Sequence, residues 1–141
     1  MSQREDFFVQ VTLSPEQARV VVNALDVLSR IHIGQFNIVR EEFLDRDFDS
    51  DAVNRLLFAA RHLVFPELGG GEGYSYGIRG CPSRKGKVAW DVLQVIRQVE
   101  AFARRPEGGY TVSFNDPMFV SDSEPRPTAK AVNILDRLSD L

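Results

Sequence analysis

The sequence predicts a compact, mainly helical α+β domain with a small antiparallel sheet. Three observations lead there. Between residues 83 and 105, Val88, Val92, Val95, Ile96, Val99 and Phe102 recur at three- and four-residue steps, the period of one buried helix face. Ser14-Pro15-Glu16-Gln17 and Asp49-Ser50 read as helix starts. The stretches 7–13 (FFVQVTL) and 110–114 (YTVSF) alternate with the period of two expected of strands.

Size and composition bound the rest. The 141 residues suit one domain over 1–141, with a flexible start at 1–6 and an exposed loop at 121–128. A content of 43% hydrophobic and 26% charged residues is that of a folded, soluble chain. Cys81 is the only cysteine, so no disulfide closes within the chain. No apolar run approaches the ~20 residues of a membrane span, and the acidic opening MSQREDFF is unlike a signal peptide. The net charge of −3 is unevenly spread. Arg79, Arg84, Lys85, Lys87, Arg97, Arg104 and Arg105 outweigh Asp91 and Glu100, whereas residues 41–51 are acidic. That dipole suits steering of an anion, or contact between copies in a homo-oligomer. It makes no case for specific nucleic-acid binding.

Along the chain, residues 7–13 form the first expected strand, with Phe7, Val9, Val11 and Leu13 inward. Ser14 caps a helix reaching residue 29 or 30, Pro15 occupies its first turn, and Gln17 completes a capping box. Asp26 and Arg30 stand at i,i+4. Gly34 separates this helix from a short one over 35–44. A third helix over 51–64 buries Ala52, Val53, Leu56, Leu57, Ala60, Leu63 and Val64, and Pro66 ends it. The long helix starts near Lys87 and ends before Pro106. Residues 110–114 and 118–120 supply further extended segments, and 129–138 a last helix.

The candidate site follows from two features. One is the glycine-rich run 69–80, in which Tyr74 and Tyr76 can stack on a base or anchor the loop and Arg79 can meet a phosphate or carboxylate. The run lacks the phosphate-loop and dinucleotide fingerprints. The other is the stripe Trp90, Gln94, Arg97 and Ala101 beside the apolar face of the long helix. Either Trp90 packs in the core while Gln94 and Arg97 face solvent, or the three border a site. The candidate binding residues are therefore Tyr74, Tyr76, Arg79, Trp90, Gln94 and Arg97. Asp45–Asp51 lacks the glycine and closing glutamate of a calcium loop. His32, His62 and Cys81 have no metal-site spacing, so neither metal nor cofactor is expected. Asp91 reads as a solvated or paired helix acid.

The segments SRIHIGQF (29–36), YGI (76–78), AWDVLQVIR (89–97) and RPEGG (105–109) together resemble small, poorly characterised proteins encoded by bacteriophages and prophages. The likeness spans most of residues 8–117, carries no catalytic motif, and is lost in the tail. It implies a phage-related setting in the bacterial host cytoplasm. The expected function is a non-enzymatic binding or inhibitor protein acting on a host factor. The alternatives are a nucleotide-binding or sequestering protein, and a small hydrolase uniting His32 or His62 with Asp91 or Cys81.

Overall fold

The computed structural model describes residues 7–71, 73–122 and 125–133. Among the described residues there are four α-helices: α1 (Pro15–His32), α2 (Ile38–Glu41), α3 (Ser50–Val64) and α4 (Arg84–Arg104). Short 3-10 turns lie at Pro66–Leu68, Ile78–Gly80 and Val112–Phe114. No helix among the described residues is long and apolar enough to cross a membrane.

The expected sheet is absent: the described residues contain no strand. Residues 7–13 carry no regular secondary structure, no other described segment pairs with them, and Phe7, Val9 and Val11 are exposed rather than inward. Alternation is a property a half-buried strand shares with a free extended arm, and only a pairing partner separates the two. Residues 110–114 do not form a strand either, because Val112–Phe114 is a 3-10 turn. Phe114 N–H donates to Thr111 O at 3.1 Å and closes a turn, and the Phe114 ring stands edge-on to Phe102 at 5.1 Å. Residues 118–120 lie against α4 without strand pairing. Of the expected last helix, 129–133 is not helical, and 134–138 lies outside the described residues.

The helix starts are as the caps dictate. Ser14 Oγ accepts from Gln17 N–H while Gln17 Oε1 accepts from Ser14 N–H, and Asp49 and Ser83 cap α3 and α4. α1 and α4 pair antiparallel and form the main interface of the molecule. Gly86, in the first turn of α4, sets their approach: a Cβ there would fall 2.6 Å from His32 Cβ and 2.9 Å from Cys81 Sγ. At the other end Arg19 and Arg104 face one cleft. Gly34, at φ +90°, turns the chain out of α1, with Leu68 packed over it.

Two faces differ from the periodic reading. The buried residues of α4 are Gly86, Ala89, Asp91, Leu93, Gln94 and Val95, because α1 covers one side and the tail segment 116–126 another. α3 touches α2 and the turn after itself but lies away from the α1–α4 pair. Leu56, Leu63 and Val64 therefore stay exposed, at 71%, 82% and 59%.

Candidate functional site

The α1–α4 pair opens along one edge into two clefts that share Arg30. Both edges are built at helical spacing. α1 contributes Arg19, Asn23, Asp26 and Arg30, and α4 contributes Trp90, Leu93, Arg97, Glu100 and Arg104. Each cleft is open to solvent and holds about 450 Å³ and about 460 Å³ respectively, within the range of small-molecule sites.

The first cleft is aromatic and neutral on balance. Trp90, Tyr76, Ile33 and Ile78 supply apolar surface, with Ser29, Gln35 and Ser75 between them. A hydrogen-bonded chain fixes its floor. Arg30 Nε donates to both Asp26 carboxylate oxygens at 3.1 Å, Arg30 Nη1 to Gln35 Oε1 at 2.9 Å, and Gln35 Nε2 to Ser75 Oγ at 3.3 Å. Tyr76 is fastened twice: its N–H donates to Ile33 O at 2.9 Å, and its hydroxyl donates to Glu67 Oε1 at 2.7 Å. That bond holds the Glu67 carboxyl below its ordinary range and pushes the Tyr76 hydroxyl above its own.

The second cleft is cationic. Four arginines line it (Arg19, Arg30, Arg97, Arg104) against two carboxylates, Asp26 and Glu100. Asp26 is taken by Arg30 at 3.1 Å and Glu100 by Arg104 at 2.9 Å. Arg19 and Arg97 have no ion pair among the described residues. Arg97 is instead aimed by Gln94, whose Oε1 accepts from Arg97 Nη2 at 2.9 Å. Gln94 is only 5% exposed, and its Nε2 and the Arg97 Nε are buried without an acceptor. On the rim, Asn23 Nδ2 donates to Glu42 Oε2 at 2.9 Å.

The six residues singled out from the sequence thus divide. Tyr76 and Trp90 meet in the first cleft, and Arg97 lies in the second with Gln94 buried behind it. Tyr74 is exposed with its ring over Gly71, and Arg79 is exposed with Nη2 3.3 Å from Met118 Sδ; neither lines these clefts. Trp90 has a second duty, because its Nε1 donates to Met118 O at 3.0 Å.

Sequence reasoning missed three residues. Arg61, 3% exposed on α3, donates to the carbonyls of Gly69 at 3.1 Å, Gly71 at 2.8 Å and Tyr74. The glycine-rich loop therefore turns acceptors inward around a guanidinium, the reverse of an amide cradle for phosphate. An arginine on the expected apolar side of a helix, a few residues before a glycine run, was the available signal. Arg19 and Arg104 were legible only as partners once α1 and α4 were known to pair.

The residues considered for hydrolysis are not gathered in either cleft. Cys81 is buried, with Sγ 3.6 Å from the His32 carbonyl oxygen, and His62 is exposed on α3. The Asp91 carboxylate, 1% exposed, accepts from Val120 N–H at 2.8 Å, Ser121 N–H at 3.2 Å and the Ser121 hydroxyl, with Arg126 Nη1 at 3.6 Å. It is a pin for the tail segment rather than a solvated acid. No group of three or more His, Cys, Asp or Glu among the described residues could hold a metal ion. No protein-family model, curated protein or solved structure matches the chain.

Proposed function

We propose that this is a non-enzymatic binding protein that holds a small anion in the α1–α4 cleft. One observation carries the reading: Arg19 and Arg97 face a cleft in which both carboxylates are already matched by other arginines. Unpaired guanidiniums in a concave setting suit carboxylate or phosphate, which they meet with paired hydrogen bonds. Resemblance to phage proteins supports a setting in an infected bacterium, where such a protein acts by sequestering a ligand or engaging a host factor.

Calorimetric titration of the full chain with inorganic triphosphate tests the reading. Expected is one-to-one binding that weakens as salt is raised and falls about tenfold or more in Arg97→Gln, on the scale of one charged hydrogen bond. Absence of heat at millimolar triphosphate would refute it.

A second reading has its own observation. Phe43 and Leu44 in the turn after α2, and Leu56, Leu63 and Val64 on α3, are all exposed, and exposed apolar side chains in number are typical of a protein contact. Under this reading the face docks on a host protein, and the acidic residues between α2 and α3 border it. Native mass of the protein recovered from host lysate separates the two: a retained protein subunit favours docking, and a retained small molecule favours the cleft.

A further inference from the structure

We infer that the anion carries an aromatic ring: the two clefts together form one site for a nucleotide, base at Trp90 and Tyr76 and phosphates at Arg97 and Arg19. The inference rests on the anion reading above and adds what the first cleft contributes. Arg30 belongs to both linings, so the aromatic and cationic compartments are neighbours on one edge of the molecule. Trp90 and Arg97 both stand on α4, two helical turns apart by their numbers, about 10 Å at 1.5 Å per residue. That is the order of the reach from base to outer phosphates in an extended nucleoside di- or triphosphate.

The chemistry of each end fits its half of the ligand. Tyr76 is fixed by backbone and hydroxyl bonds, and Trp90 by its bond to Met118 O, so neither ring must be ordered on binding. Gln35 and Ser75 offer polar groups beside the rings for the edge of a base. At the other end the Gln94 amide, itself buried, holds the Arg97 guanidinium through its Oε1, and Arg97 lines the cleft. Against this stand Asp26 and Glu100, each neutralised by its own arginine, and Glu42 on the rim. Both clefts are open, so binding is fast, reversible and salt-sensitive.

Calorimetry on the full chain with ATP, adenosine and inorganic triphosphate as probes tests this, together with quenching of Trp90, the single tryptophan. Stacking of one base makes ATP bind roughly 10- to 100-fold more tightly than triphosphate. ATP quenches the tryptophan, and triphosphate does not. Tyr76→Leu removes most of ATP's advantage and leaves triphosphate affinity unchanged, while Arg97→Gln weakens both probes; circular dichroism confirms that each variant is folded. Equal affinity for ATP and triphosphate would overturn the nucleotide inference while leaving the anion reading standing. Failure of both probes to bind would overturn the two together. Binding of adenosine as tight as that of ATP would show that the arginine end takes no part.

Discussion

Asp91→Ala should release the tail segment from α4 and cost the protein about 3 kcal/mol, a figure that follows from what the carboxylate holds. Asp91 accepts from two backbone amides and one hydroxyl and stands near Arg126, all at a position 1% exposed. Hydrogen bonds to a charged group contribute roughly 1.5–3 kcal/mol each, so three of them set an upper bound well above the expected loss. The loss is smaller because the segment can peel off and hydrate its amides, which exchanges an unsatisfied buried group for lost packing. Removing one partner of a buried ionic network otherwise costs about 3–5 kcal/mol. For a chain of this size ~3 kcal/mol lowers Tm by about 10 °C. Trp90 reports the same event locally, since its Nε1 is bonded to Met118 O in that segment. The assay is urea unfolding followed by tryptophan fluorescence. Asp91→Ala should show a lower midpoint and, before unfolding, a red-shifted native emission. An unfolding free energy within ~0.5 kcal/mol of wild type with unchanged emission would refute the claim that Asp91 pins the segment.

Arg61→Met keeps the bulk of the side chain but removes three donors from the glycine-rich loop. Because Gly69 and Tyr74 can turn their carbonyls to water, the expected cost is about 2–3 kcal/mol, with cleavage by trypsin or chymotrypsin moving into residues 69–79; unchanged protection of the loop would count against the role. The Tyr76–Glu67 bond gives a pH signature at both ends of the scale. Glu67 is depressed in the folded state, so its contribution is present above the ordinary glutamate value of about 4.3 and fades as pH falls through the folded value. Tyr76 is raised, so its contribution is complete below about 10 and fades as pH climbs through the folded value. The Tm difference between wild type and Tyr76→Phe should be positive in the middle range and shrink toward both extremes. A difference that stays flat from acid to base would show that the bond does not form in solution.

What the sequence made legible was local. Ser14 with Gln17, and Asp49, specify helix starts through bonds to amides three residues away, and such short-range chemistry is written in adjacent letters; the Ser83 cap, which starts α4 at Arg84 rather than near Lys87, was missed. The Asp26–Arg30 pair belongs to the same class. What escaped depends on distant partners. Residues 7–13 alternate well enough for a strand, but a strand exists only where another segment supplies its ladder. Leu56, Leu63 and Val64 have the spacing of a buried face, and whether that face is covered depends on where α3 lies relative to α1 and α4. Gln94 and Arg97 could be read as facing solvent or as bordering a site, and hydropathy cannot see that Gln94 is buried behind Arg97 with its amide oxygen on the guanidinium. Tyr76 and Trp90 were each legible as candidate binding residues, on the glycine-rich run and on the helix stripe, but their meeting in one cleft was not. Arg19 and Arg104 were not legible as site residues, since only the pairing of two helices brings them to one cleft.

The interior of this protein also explains why its cleft stays open. Among the described residues the buried apolar groups are few and small, Leu93 and Ile33 being the largest, while Ser29, Arg61, Asp91, Gln94 and Ser121 are buried beside them. Hydrophobic contact alone would let two helices slide and close on one another; the polar anchors instead fix discrete positions, because each satisfied buried group would be orphaned by a small shift. At the Gly86 end the helices meet with no room for a methyl group. Toward the other end Arg19, Arg97 and Arg104 converge with only Glu100 and the more distant Asp26 to offset them. Like charges lining one cleft repel and favour hydration, which opposes closure of that end. A bound phosphate group would remove the repulsion and tie α1 to α4 at the end where no glycine does so. The same ligand that the cleft selects by charge would therefore stabilise the fold, in proportion to RT ln(1 + [L]/Kd).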